Sequence, residues 1–121
     1  MKENVVKEKS MLFAIKIVNL YKFLCETKKE FVLSRQILKA GTSIGANLAE
    51  AECAISKKDF LAKVYISFKE CIETKYWLEL LYKTDFIHEK DFKSINSDCD
   101  ELYKLLAAIT KTTRENITVD N

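Results

Sequence analysis

Phe92-Lys93-Ser94-Ile95-Asn96-Ser97-Asp98-Cys99-Asp100-Glu101-Leu102-Tyr103-Lys104-Leu105-Leu106-Ala107-Ala108-Ile109 is the stretch on which the fold turns. Its residues Phe92, Ile95, Cys99, Leu102, Leu106 and Ile109 recur at steps of three, four, three, four and three. A strand, whose side chains alternate, cannot hold that spacing on one face, whereas a helix can. The seam predicts a helix over about residues 89–113 that hides one stripe against other helices.

The same rhythm extends toward the N-terminus. Ser56 followed by Asp59 fits a capping box for a helix over about 57–83. Its apolar residues Leu61, Val64, Tyr65, Phe68, Ile72, Tyr76, Trp77, Leu80 and Leu81 cover more than one stripe, so the sequence predicts burial twice, within the bundle and against a second subunit. Before it, Ser34 is the expected cap of a helix over about 35–54, with Ile37, Gly41, Ile44, Leu48, Ala51 and Ile55 on one stripe. Ala40, Gly41, Gly45, Ala46 and Ala49 give this segment a surface on which a neighbouring backbone can approach closely, from the same chain or from another copy. Phe13, Ile17, Leu20 and Leu24 mark a first helix over about 4–29, and Phe31 to Leu33 bridge to the second. The expected domain is a single unit over 1–114, with 115–121 a frayed tail. Four long helices with short connections place neighbours antiparallel, so the expected fold is all-α, an up-down-up-down four-helix bundle.

Composition agrees. The 121 residues contain no proline and only two glycines, with 48% hydrophobic and 31% charged side chains, as amphipathic helices require and disordered chains lack. No apolar run approaches the roughly 20 residues needed to span a bilayer. The charged start, Met1 to Lys9, lacks the apolar core of a signal peptide, so the expected location is the cytoplasm, with no membrane partner. Cys25, Cys53, Cys71 and Cys99 are widely spaced and accompany a single histidine, which argues for small apolar packing residues rather than a zinc site or any other cofactor. Net charge is +2, unevenly spread: residues 1–63 hold 12 basic and 7 acidic side chains, residues 64–121 hold 8 and 11.

Catalytic patterns are sparse. Gly41-Thr42-Ser43-Ile44-Gly45 matches the GxSxG string of a nucleophile elbow, but that device needs a strand before the serine, and the surrounding pattern is helical. His88, followed by Glu89 and Asp91, suits a helix entrance. The sequence therefore predicts a protein that is not an enzyme. Two groups of cations are candidates for phosphate contact: Lys28, Lys29, Arg35 and Lys39 around the first connection, and Lys57, Lys58, Lys111 and Arg114, which the topology gathers at the other end beside Lys2 and Lys7. A solvated helix surface is the plainer account of the same charges. Asn47 and Glu50, three apart, share a face and call for an interhelical hydrogen-bond network or a ligand.

Ser34-Arg35-Gln36-Ile37-Leu38-Lys39-Ala40-Gly41-Thr42-Ser43-Ile44-Gly45-Ala46-Asn47-Leu48-Ala49-Glu50-Ala51 strongly resembles the signature of the four-helix-bundle proteins encoded in intervening sequences of bacterial 23S rRNA genes. Ser56-Lys57-Lys58-Asp59-Phe60 and Glu73-Thr74-Lys75-Tyr76-Trp77-Leu78 extend the likeness over nearly the whole chain. The resemblance implies a ring-like homopentamer, related to accessory proteins of diversity-generating retroelements that bind nucleic acid and a reverse transcriptase. It brings no catalytic residues. Arg35, Ser43, Asn47 and Glu50 match motif positions whose implied role is structural at least as much as functional. The resulting expectation is a homo-oligomeric bundle that binds RNA, DNA or a nucleic-acid-handling protein, with a scaffold contacting proteins alone as the rival.

Overall fold

A computed structural model describes the backbone of residues 2–120 and the side chains of residues 4–117. It contains four helices: α1 (Lys2–Glu26), α2 (Leu33–Ala51), α3 (Lys57–Lys83) and α4 (Glu89–Asp120). Packing runs in sequence order, α1 on α2, α2 on α3 and α3 on α4, and α1 meets α4 to close the square; among the described residues the backbones of the diagonal pairs α1/α3 and α2/α4 stay apart. Ion pairs confirm the antiparallel sense. Lys7 at the start of α1 meets Glu52 just past α2, while Lys9 and Lys16 meet Glu101 and Asp98 of α4 in reverse order. The protein is thus an all-α, antiparallel four-helix bundle.

The core follows the seams read from α4 and α1. Ile95, Cys99, Leu102, Leu106 and Ile109 of α4 are buried together with Phe13, Ile17, Leu20 and Leu24 of α1, which Val6 and Ser10 extend toward the N-terminus. Phe92 is half-buried and stacks on Tyr82 with centroids 4.4 Å apart, closing one end of the α3/α4 contact. Helix α3 divides its apolar residues between two faces. The buried stripe is Val64, Ser67, Cys71, Thr74, Leu78 and Leu81, and three of these are small or polar. Tyr65, Ile72 and Tyr76 instead face outward, 44%, 46% and 60% exposed. The helix therefore carries two faces, as an apolar set wider than one stripe implies, and the inner one consists largely of small and polar residues.

Helix termini reveal further differences. Ser56, in extended conformation, accepts the Asp59 N–H at 3.0 Å and so caps α3, while the Asp59 carboxylate reaches back one residue past the cap to accept the Ile55 N–H at 3.2 Å. Ser34 caps nothing: it is buried one residue inside α2, which begins at Leu33 and stops at Ala51 rather than running over 35–54. Glu30 takes its place. Its carboxylate accepts the N–H groups of Val32, Leu33 and Ser34 at 3.2, 3.0 and 2.7 Å, filling three of the donors that a helix start leaves open. Lys29, with φ of 54°, provides the left-handed step that ends α1 at Glu26 instead of residue 29 and swings Glu30 into position. At the C-terminus, α4 continues to Asp120 where the sequence reading ends it at 113 and frays 115–121, because no proline or glycine interrupts this stretch. Asn121 lies outside the described residues.

Candidate functional site: exposed faces and cation groups

Helix α2 owes its place to missing side chains. A Cβ on Gly41 would stand 2.8 and 2.9 Å from the two γ carbons of Ile17, and one on Gly45 3.1 Å from Ser10 Oγ, so α1 supplies the close partner that the glycines called for. The remaining small residues do something else. Ala46 and Ala49 are exposed, and with Thr42 they face Met11, Leu12 and Ala14 of α1 across an open groove of about 900 Å³. Beside it, Met11, Leu12 and Ile15 are 63%, 64% and 51% exposed, an apolar strip on α1 that sequence reading missed because a seam search records only the stripe facing inward. The outer face of α3, with Tyr65, Ile66, Ile72 and Tyr76, is the second apolar surface. The two surfaces sit on diagonally opposed helices and point away from each other.

The cations form two separate groups. Lys28, Lys29, Arg35 and Lys39 surround the α1–α2 connection: Lys28 Nζ lies 5.8 Å from the Phe23 ring centroid, and Arg35 Nε donates to the Phe31 carbonyl at 2.8 Å. Lys57 and Lys58 open α3, and the register set by Cys71 opposite Cys99 carries them to the level of Lys111 and Arg114 on α4. Lys7 is at this end and is occupied by Glu52, while the Lys2 side chain lies outside the described residues. Among the described residues, Lys28, Lys29, Lys39, Lys58 and Lys111 make no ion pair. Burial raises the Glu30 carboxyl and its three backbone N–H bonds outweigh that, holding it below the usual carboxylate range. Its charge is therefore committed to the helix start, which leaves the neighbouring lysines without a dedicated acid.

The motif positions are locally engaged. Ser43 Oγ donates to the Lys39 carbonyl at 2.6 Å and Asn47 Nδ2 donates to the Ser43 carbonyl at 2.8 Å, a ladder along α2 itself. Glu50 crosses to α3 and pairs with Lys63 at 3.2 Å. A buried hydrogen bond between the same two helices lies elsewhere: Ser67 Oγ of α3 donates to the Ile44 carbonyl of α2 at 2.7 Å. Within Gly41 to Gly45, Ser43 sits mid-helix with no strand before it, and His88 is exposed at the entrance of α4. That is not the setting of a nucleophile elbow. Among the described residues no group of three or more His, Cys, Asp or Glu side chains is placed to hold a metal ion, and no helix is long and apolar enough to cross a membrane.

What these features define is a helical bundle whose distinctive chemistry lies on its outside, in two apolar faces and two cation groups. The chain belongs to the 23S rRNA-intervening sequence protein family, whose model matches residues 2–108. It is similar in structure to a protein of unknown function from the S23 ribosomal protein family of Bacteroides thetaiotaomicron VPI-5482, with 58% identity and a TM-score of 0.90 over 92% of this chain and 99% of that one. No curated protein matches it in sequence.

Proposed function

We propose that this protein is a non-enzymatic, homo-oligomeric bundle that binds nucleic acid or a nucleoprotein through cations repeated around the assembly. The observation that carries the assembly is the pair of unlike apolar surfaces on opposed helices, Met11, Leu12 and Ile15 of α1 against Tyr65, Ile72 and Tyr76 of α3. Because they differ and point apart, a second copy meets one with the other in a head-to-tail contact, which closes into a ring when the rotation per subunit permits. The homopentamer implied by the family resemblance is one such ring. Repetition then multiplies Lys28, Lys29 and Lys39, turning a modest local charge into a band able to release several counterions from a polyanion.

Titration with structured RNA and duplex DNA at about 50 and about 200 mM salt tests the binding. Binding that weakens steeply with salt, and weakens further in a Lys28→Ala/Lys29→Ala/Lys39→Ala variant, is the expected result. Absence of binding at the lower salt rejects the nucleic-acid reading. The protein-only scaffold is then the reading to adopt, and the net charge of only +2 speaks for it.

A further inference from the structure

Cys71 of α3 and Cys99 of α4 meet in the interior, both fully buried. Their Sγ atoms are 3.7 Å apart, and each thiol also rests against the other's backbone carbonyl, Cys71 Sγ at 3.5 Å from the Cys99 oxygen and Cys99 Sγ at 3.7 Å from the Cys71 oxygen. A side chain of one carbon reaches the opposing backbone only where two helices run unusually close, and that proximity is also what a disulfide demands of its α carbons. Neither Cys25, which contacts Ser34 Oγ at 3.7 Å, nor exposed Cys53 has such a partner among the described residues.

We propose that Cys71 and Cys99 are a redox-responsive pair that a hydroperoxide oxidises to an intrachain disulfide, stapling α3 to α4. The Cys71 thiolate attacks the outer peroxide oxygen; an S–O bond forms, the O–O bond breaks, and the leaving oxygen departs as water or alcohol after taking a proton. Cys99 then attacks the sulfenic sulfur, the S–S bond forms, and the hydroxyl leaves as water with the Cys99 proton. Two thiols have lost two electrons and two protons, and the peroxide has gained them.

The surroundings assign the order. The Cys99 thiol beside it, followed in effect by Lys75 one turn along α3, favours the Cys71 thiolate against the cost of burial. Cys99 is pushed the other way, by that same hydrogen bond and by burial, so it keeps its proton and resolves. Lys75 is held over the pair by its ion pair with Asp100, the residue after Cys99. The residues lie 28 apart in sequence, so closing the bond removes substantial freedom from the unfolded chain.

The test uses the full chain as Cys25→Ser/Cys53→Ser, exposed to hydrogen peroxide under native conditions, then denatured, alkylated and weighed intact. The expected product is a single chain lighter by two hydrogens, with no alkylatable thiol and a midpoint of thermal unfolding raised by on the order of 10 °C, reversed by dithiothreitol. Adding Cys99→Ala should abolish both the mass loss and the rise. Two thiols that stay alkylatable after prolonged native exposure overturn the proposal, as does a bond that forms only in urea.

Discussion

Helix α2 meets its two neighbours by opposite means. Toward α1 it removes side chains, so Ile17 packs against bare backbone at Gly41. Toward α3 it exchanges polar bonds, with Ser67 donating to the Ile44 carbonyl and Lys63 reaching Glu50. The first contact is steric: it tolerates nothing larger and depends on one isoleucine filling the space. The second is directional and divides into a buried bond and an exposed ion pair, which physics values differently. Together they show how one helix can be fixed on two sides without a large residue of its own at either glycine.

The largest effect should come from the steric side. Ile17→Ala removes a fully buried side chain and should cost roughly 3 kcal/mol in denaturant unfolding. Gly41→Ala should cost about 1–2 kcal/mol in the natural background, since Ile17 must shift, and should turn stabilising by up to about 1 kcal/mol when combined with Ile17→Ala, because the obstruction is gone and alanine favours the helix. A penalty that persists in the double variant would show that the contact is not the cause.

Next comes the polar side. Ser67→Ala should cost about 1 kcal/mol, the net value of one buried hydrogen bond, with little dependence on salt. Glu30→Ala should cost about as much by uncapping α2, and this loss carries a pH signature. The folded-state carboxyl titrates below its unfolded value, so its contribution is complete above the ordinary carboxylate range and disappears as pH falls through the folded value. The natural protein and the variant should therefore converge in stability on acidification from about pH 6 toward about pH 3. The smallest change belongs to Lys63→Ala, at most about 0.5 kcal/mol and reduced by salt, since that ion pair is exposed to solvent.

What could be read in the sequence follows the same division. Steps of three and four in α4 and α1 announce which residues are buried, because helix geometry alone decides it. The glycines of α2 announce a close approach but not its partner, which depends on how helices are ordered in space. The fourteen residues from Tyr65 to Leu78 in α3 were harder: the apolar residues announce more than one face, but Ser67, Cys71 and Thr74 of the inner stripe carry little hydrophobic signal to mark it. Glu30 was missed as a cap because it acts from three residues before α2 through the left-handed turn at Lys29, whereas a capping pattern looks for serine next to the helix. The Cys71 and Cys99 pair needed interhelical register, which no local pattern contains. Of the candidate surface, the cations were visible as charges and their grouping at two ends came from topology, while the apolar strip of Met11, Leu12 and Ile15 emerged only once the inner stripe of α1 had been subtracted.

On the proposed function the outside of the bundle is the place where the protein acts, with α1 of one copy meeting α3 of the next. Light scattering on the purified chain at micromolar concentration tests that most directly: the proposed closed head-to-tail ring predicts a single species whose mass is a whole multiple of 14.0 kDa, three or more. A particle of 14.0 kDa under those conditions would contradict it.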